Sequence, residues 1–255
     1  MSAGKHVFIT GGASGIGLAI GKYFATKGYV VTLSDVNGDT LAGAARSLEG
    51  EGIRVNCHVM DVTNQSQVDA LPEQMETPID ILINNAGIQH VSPLEDFPED
   101  RWKLLIDIML TAPAMLTRAL LPSMRQRGYG RIINVGSIHS LVASPYKSAY
   151  VAAKHGLLGF AKTVALETGD TDITINTLCP SYVLTPLVEN QIADQARTNG
   201  ISEDEVVKDI MLAPMPKKAF IQFEELAETA LFLASPQARN ITAQAIVIDG
   251  GWTAR

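Results

Sequence analysis

Runs of β-branched and apolar residues alternate with longer stretches of helical periodicity along the whole chain. Seven short runs rich in Val or Ile, mostly bounded by Gly, Asp or Asn, predict strands at His6–Thr10, Val30–Ser34, Arg54–His58, Ile79–Asn84, Arg131–Val135, Ile173–Leu178 and Ala245–Ile248. Between them apolar positions recur at helical spacing, most clearly over Gly15–Lys27, Arg101–Met124, Ser148–Thr168 and Glu224–Ala234. Strands alternating with helices imply right-handed crossovers and a parallel sheet covered on both faces. The expectation is an α/β fold: one domain over residues 1–255, built on a doubly wound, parallel, seven-stranded sheet.

One stretch breaks the rhythm. From Pro180 to Phe220 there is no strand signal, but a helix opens at Pro186 and another at Ser202-Glu203-Asp204-Glu205, a capping box with Ser202 as N-cap. Helices inserted late in such a sheet, near the carboxyl ends of the strands, are placed to cover a ligand crevice. Residues 181–220 are therefore expected to form a helical lid, the alternative being a solvated surface excursion.

Composition narrows the classes. With 20 Lys+Arg against 27 Asp+Glu the formal charge is −7, which argues against a nucleic-acid partner. At 46% hydrophobic and 18% charged residues there is ample material for a core and little for disorder. The start, Met1-Ser2-Ala3-Gly4-Lys5-His6, lacks a signal-peptide pattern. Pro113, Arg118 and Pro122 interrupt the richest apolar stretch, Leu104 to Met124, so none is expected to supply the roughly 20 apolar residues of a membrane helix. A cytoplasmic protein without a membrane partner is expected. Its two cysteines, Cys57 and Cys179, read as reduced core residues.

The segment Gly11-Gly12-Ala13-Ser14-Gly15-Ile16-Gly17 follows the first strand and opens the first helix. Glycine is needed where backbone turns tightly and approaches a pyrophosphate closely, with the phosphates at the positive end of the helix. Eighteen residues beyond Gly17, Asp35 ends the second strand, where a carboxylate accepts bonds from ribose hydroxyls and repels a 2′-phosphate. No cation for that phosphate stands at Ser14, Val36 or Asn37, so the pattern favours NAD over NADP, in a Rossmann-like fold. Asp35 capping the helix that begins near Asn37 is the alternative.

Tyr150 and Lys154, four residues apart, are neighbours on one helix face. An ammonium beside a phenol stabilises phenolate and lowers its pKa from about 10. Ser137, thirteen residues before Tyr150, ends a strand and can bond the same substrate oxygen. The histidines show no metal-ligand spacing, and no metal is expected.

With these motifs the chain resembles the short-chain dehydrogenases/reductases over its entire length: Thr10 to Gly17, Asn84-Asn85-Ala86-Gly87, Ser137 with Tyr150 and Lys154, Asn176 through Pro180, and Asp249-Gly250-Gly251 fall in the family's order and spacing. The resemblance implies adenine contacts from Asp61 and Val62, a cofactor border at Asn85, Ala86 and Gly87, and carboxamide contacts from Val183 and Thr185. It also implies an oligomer, most often a homotetramer. Met109 stands where the family usually carries an asparagine of a proton relay. Methionine has no side-chain amide, and a backbone carbonyl there can still hold a relay water.

Substrate-side segments, among them Gly87 to Val91, Ser137 to Ser144, Thr185 to Ile192 and Gly200 to Val207, are similar to the bacterial D-3-hydroxybutyrate dehydrogenase branch of the family. That similarity implies a clamp of Gln89, His139, Lys147 and Gln191 on the carboxylate of a small hydroxy acid, and oxidation of (R)-3-hydroxybutyrate to acetoacetate with NAD. Taken singly, Gln89 and Gln191 also read as surface residues, Lys147 as a solvated helix start and His139 as bonded to a loop carbonyl. Tyr182 stands where tryptophan is common, and Trp252 is a further candidate wall of the pocket. Alternatives are a related 3-hydroxy acid, a 3-oxoacyl thioester, a diol or a sugar as substrate, or an NAD-binding sensor with little activity.

Overall fold

The computed structural model describes residues 4–254, apart from the side chains at 198 and 199; Met1 to Ala3 of the N-terminal reading lie outside the described residues. The strands are β1 (His6–Thr10), β2 (Val30–Asp35), β3 (Asn56–Val59), β4 (Ile81–Asn84), β5 (Tyr129–Val135), β6 (Asp172–Pro180) and β7 (Ala245–Ile248). They form one parallel sheet in the order β3-β2-β1-β4-β5-β6-β7. The chain winds outward from β1 to β3, then crosses back to β4 on the other side of β1. The crevice at this reversal, above the carboxyl ends of β1 and β4, is where such sheets bind ligands.

Nine helices are described: α1 (Gly15–Thr26), α2 (Gly38–Gly50), α3 (Gln65–Gln74), α4 (Glu99–Ile106), α5 (Ala112–Arg127), α6 (Ser148–Glu167), α7 (Pro186–Asn199), the single turn α8 (Glu203–Glu205) and α9 (Phe223–Ala234). Alternation along each strand splits the core. Val7 and Ile9 of β1 pack with Ile20 and Phe24 of α1 and Ala230 of α9, whereas Phe8 between them packs with Leu116 and Leu120 of α5 and Val164 of α6. Cys179 is buried, but Cys57 is exposed, contrary to the core position expected of it. It lies on β3, which pairs with β2 alone and leaves most of its side chains at the surface.

The helix expected over Arg101–Met124 is longer and interrupted. Between α4 and α5, residues Asp107–Thr111 form a π-helical turn in which the Ala112 N–H reaches back to the Asp107 carbonyl. Pro113 and Pro122 do not end the run, which over Glu99–Arg127 is long and apolar enough to span a membrane by composition. That corrects the expectation from its prolines. Its apolar side is nevertheless used inside the fold, where Leu105, Met109, Leu116, Leu120 and Met124 are buried.

The capping box at Ser202 is present: its hydroxyl accepts from the Glu205 N–H at 3.2 Å, and the Glu205 carboxylate accepts from the Ser202 N–H at 2.8 Å. The helix it starts passes after one turn into a π-helical turn, Val206–Met211. A bridge between Val183 and Ile221, with the Ile221 N–H on the Tyr182 carbonyl at 2.9 Å, ties the two ends of this helical excursion together.

Gly17 has no room for a side chain: a Cβ there would lie 2.4 Å from the Gly11 carbonyl oxygen and 2.5 Å from Asn85 Nδ2. Gly43 in α2 has nothing within 4 Å of a Cβ. Urea unfolding is expected to show Gly17→Ala destabilised by about 1–3 kcal/mol and Gly43→Ala stabilised by up to about 1 kcal/mol.

Candidate active site

The end of β1 sets the loop that follows it. Thr10 Oγ1 accepts from the Asn85 N–H at 3.0 Å and the Ala86 N–H at 3.1 Å, while Asn85 Nδ2 donates to the carbonyls of Thr10 and Gly11 at 3.0 and 2.9 Å. These bonds hold the segment after β4 against the glycine turn. Gly11 takes φ +62°, and a Cβ on it would meet Ala86 Cα at 2.9 Å, so both the twist and the approach require glycine. At the start of α1 the Ser14 side chain makes no capping bond, which leaves the first-turn N–H groups for an anion. Gly11, Ser14, Gly15 and Ile16 all line one cavity, of about 260 Å³. A bare backbone at a helix N-terminus fits a pyrophosphate. Gly17 lies behind this wall, packed on Gly11.

Asp35 lines the same cavity at the end of β2. Its carboxylate accepts from the Ala13 N–H at 3.2 Å and the Asn37 N–H at 3.1 Å, and among the described residues no cation pairs with it. It does not cap α2; Asn37 does, accepting from the Thr40 N–H at 3.0 Å. Asp61 and Val62 follow the end of β3 beside Asp35, outside the cavity wall, and Asp61 is engaged by Thr63 at 2.7 and 2.9 Å. Asn85 and Gly87 line the cavity, as do Val183 and Thr185; Ala86 lies behind with its N–H on Thr10.

The carboxyl end of β5 brings Ser137 to this cavity, and the first turns of α6 bring Tyr150 and Lys154. Lys154 is buried and donates to the Val135 carbonyl at 2.6 Å, with its nitrogen 5.6 Å from the centre of the Tyr150 ring. Burial holds the Lys154 ammonium down at about 8. The expected lowering of Tyr150 by Lys154 is not what the structure gives. Burial pushes the phenol above its ordinary pKa, and the group pulling it down is the Ser137 hydroxyl. The Lys154 ammonium is turned to a backbone carbonyl.

Gln89, His139, Lys147, Tyr182 and Gln191 line the same cavity from four different segments. Lys147 is 7% exposed, its ammonium lowered by burial, and among the described residues no carboxylate pairs with it. It follows Tyr146, a non-glycine residue at φ +66° whose carbonyl accepts from the Ser92 N–H at 2.9 Å. Backbone strain of this kind persists only where surrounding contacts hold it, and here it precedes the residue turned into the cavity. His139 is engaged at both ring nitrogens, by Ser137 and Ser144. Burial, then the Lys147 and His155 charges, hold its imidazole down at about 4, so it is neutral. Trp252 stands one layer out, stacked on Tyr182 at 6.0 Å and edge-on to His139 at 6.2 Å.

Two contributors are not legible from residue type. Thr10 acts through its hydroxyl at the end of an otherwise apolar strand, and Ser144 is one serine among several in its loop. Met109, in the π-helical turn, lines the cavity wall.

A pyrophosphate cradle that opens onto a serine, a phenol and a buried ammonium puts this chain among the nicotinamide-dependent oxidoreductases. Residues 5–196 match the short chain dehydrogenase family, and the chain belongs to it. It is 44% identical over 259 aligned residues to the D-beta-hydroxybutyrate dehydrogenase of Rhizobium meliloti, covering 98% of this chain and 99% of the relative. It is 43% identical to the enzyme of the same name from Cupriavidus necator, over the full length of both. Among solved structures, an actinorhodin polyketide ketoreductase with NADPH superposes with a TM-score of 0.93 at 29% identity, covering 99% of this chain and 98% of that one.

A lysine whose pKa falls on folding binds fewer protons folded than unfolded between about 8 and 10.5, so its contribution to stability rises with pH across that window. In urea unfolding at a series of pH values, the stability of the wild type relative to Lys154→Met is expected to improve from pH 8 to 10.5 and to be flat below pH 7.

Proposed function

We propose that the protein interconverts (R)-3-hydroxybutyrate and acetoacetate with NAD. The observation that carries this reading is Lys147. Its side chain is largely buried and lines the cavity that holds Ser137 and Tyr150, with no described carboxylate beside it, so an anionic ligand there gains a charge-assisted partner in low dielectric. A small hydroxy acid bound by its carboxylate at Lys147, with Gln89 and Gln191 as amide donors, presents its hydroxyl to Tyr150. His139 closes the clamp on the Ser137 side; direct donation from it to the carboxylate requires one of its two serine bonds to break. The branch resemblance and the two D-beta-hydroxybutyrate dehydrogenase relatives support the same substrate.

The nicotinamide of the cofactor, when bound, takes up or gives the hydride. The chain's own residues hold it and move the proton. Gly11 to Gly17 receive the pyrophosphate, Asp35 the adenosine ribose hydroxyls, with Asp61 and Val62 towards the adenine, and Asn85 to Gly87, Val183 and Thr185 border the nicotinamide half. The carboxylate of Asp35, with no described cation paired to it, supports NAD over NADP, since a 2′-phosphate would meet a like charge. Tyr150 accepts the hydroxyl proton in oxidation and returns it in reduction, Ser137 orients the oxygen and stabilises its developing charge, and Lys154 holds the ribose. Residues 181–220 act as the cover, tied at Val183 and Ile221, with Tyr182 and Trp252 walling the acyl side. The enzyme works in the cytoplasm as a homotetramer, for which the exposed Leu166, Phe232 and Val247 provide apolar surface.

NADH formation with both enantiomers of 3-hydroxybutyrate, lactate, 2,3-butanediol and glucose tests the reading. Selective turnover of the R enantiomer with NAD is expected; turnover of another compound alone overturns the substrate. Lys147→Ala is expected to raise KM for the acid by about 100-fold with NAD affinity unchanged, measured by steady-state kinetics and fluorescence titration. Because oxidation needs the phenolate and burial raises the Tyr150 pKa, kcat for oxidation is expected to climb with pH while reduction does not, and Tyr150→Phe to lose nearly all turnover in both directions.

A further inference from the structure

Tyr150 stands between an apolar cluster and the polar groups of the cavity. Its ring packs on the cluster of Leu105, Met109, Ala149 and Ala153, and the Lys154 ammonium one turn on is given to the Val135 carbonyl. The Ser137 hydroxyl lines the same cavity and pulls the phenol's pKa down, and a hydrogen-bonded series runs on from Ser137. Ser137 Oγ accepts from the His139 backbone N–H at 3.2 Å and stands 3.4 Å from His139 Nδ1, and His139 Nε2 is 2.7 Å from Ser144 Oγ. His139 is 4% exposed, whereas Ser144 is partly open to solvent. The first of these side-chain contacts is long, as catalytic hydrogen bonds often are before substrate binds.

We propose that Ser137, His139 and Ser144 form a proton wire that connects the Tyr150 phenol to solvent. It rests on the assignment of Tyr150 as the group that exchanges the substrate's proton. Once Tyr150 holds that proton it passes it to Ser137 Oγ; Ser137 gives its own hydroxyl proton to His139 Nδ1; the proton on Nε2 goes to Ser144 Oγ, and the Ser144 hydroxyl proton leaves to water. The phenol becomes phenolate, the imidazole stays neutral and exchanges tautomer, and no electrons move. Rotation of the two hydroxyls and return of the ring to its first tautomer reset the wire, and the reverse sequence serves reduction. A neutral imidazole is required, with one nitrogen accepting and the other donating. Burial first, and then the Lys147 ammonium, keep it neutral, and the edges of Tyr150 and Trp252, at 6.0 and 6.2 Å, fix its plane. His139 and Ser144 are thus positioning residues that act through Ser137.

The wire is tested by Ser144→Val, which removes the hydroxyl and fills its place against water, beside Ser144→Thr, which keeps it. His139→Gln, which retains polar contacts to both serines but cannot shuttle a proton, is the second variant should Ser144→Val not fold. Expected are a loss in kcat of about tenfold or more for Ser144→Val and His139→Gln, KM within about twofold of wild type for Ser144→Val, a larger solvent deuterium isotope effect on kcat, and recovery in Ser144→Thr. A wild-type kcat in either blocked variant overturns the wire. A rise in KM with kcat unchanged in both blocked variants also overturns it and leaves His139 with its clamp role alone. If the wild type turns over a different alcohol from the panel, the same comparison is made with that alcohol. Failure of the substrate assignment is then read separately from failure of the wire.

Discussion

The pairing of β1 with β4 is the constraint on which the rest of the site depends. Val7 lies opposite Ile81 and Ile9 opposite Ile83, although more than 70 residues separate them in sequence. That register brings Thr10 and Asn85 to the same level, where three groups of Asn85 and Ala86 bond the end of β1. The glycine turn is thereby held with its backbone facing the crevice. Without the register, the glycines would be only a flexible loop, and an anion would have no preformed cradle.

Burial of charge is the second theme. Lys147 and Lys154 both lie inside the cavity wall, and no described carboxylate neutralises either. The two are handled differently. Lys154 donates to a backbone carbonyl, whereas Lys147 faces the cavity with no described carboxylate partner. The same desolvation raises the Tyr150 phenol and keeps the His139 imidazole neutral. Low local dielectric makes each remaining hydrogen bond, such as that of Ser137, decisive for where a proton resides.

Met109 stands in the π-helical turn at Asp107–Thr111. In the family this place usually holds an asparagine; here Met109 fills it with a buried thioether beside Gly87, where a Cβ would stand 3.5 Å from the sulfur. The surroundings of Tyr150 on that face are apolar, and polar contact is concentrated on the Ser137 face.

The strand and helix rhythm, the glycine turn, Asp35 and the Ser137, Tyr150 and Lys154 set were all legible in the sequence, because each rests on local spacing: period two in strands, 3.6 in helices, glycine where φ turns positive. Cys57 was misjudged because alternation does not reveal that its strand is an edge. The prolines of Glu99–Arg127 were misjudged because Pro113 follows directly on the π-helical turn, where the backbone bonding pattern shifts, and Pro122 is accommodated inside α5. Resemblance named the clamp residues, but only the folded chain decided that Lys147 is buried unpaired and that Asp61 and Trp252 stand behind the wall. It also turned both His139 nitrogens to serines and left Tyr150 desolvated above its ordinary pKa. Those outcomes depend on which groups from distant segments share a low-dielectric space, and no local pattern along the chain encodes that.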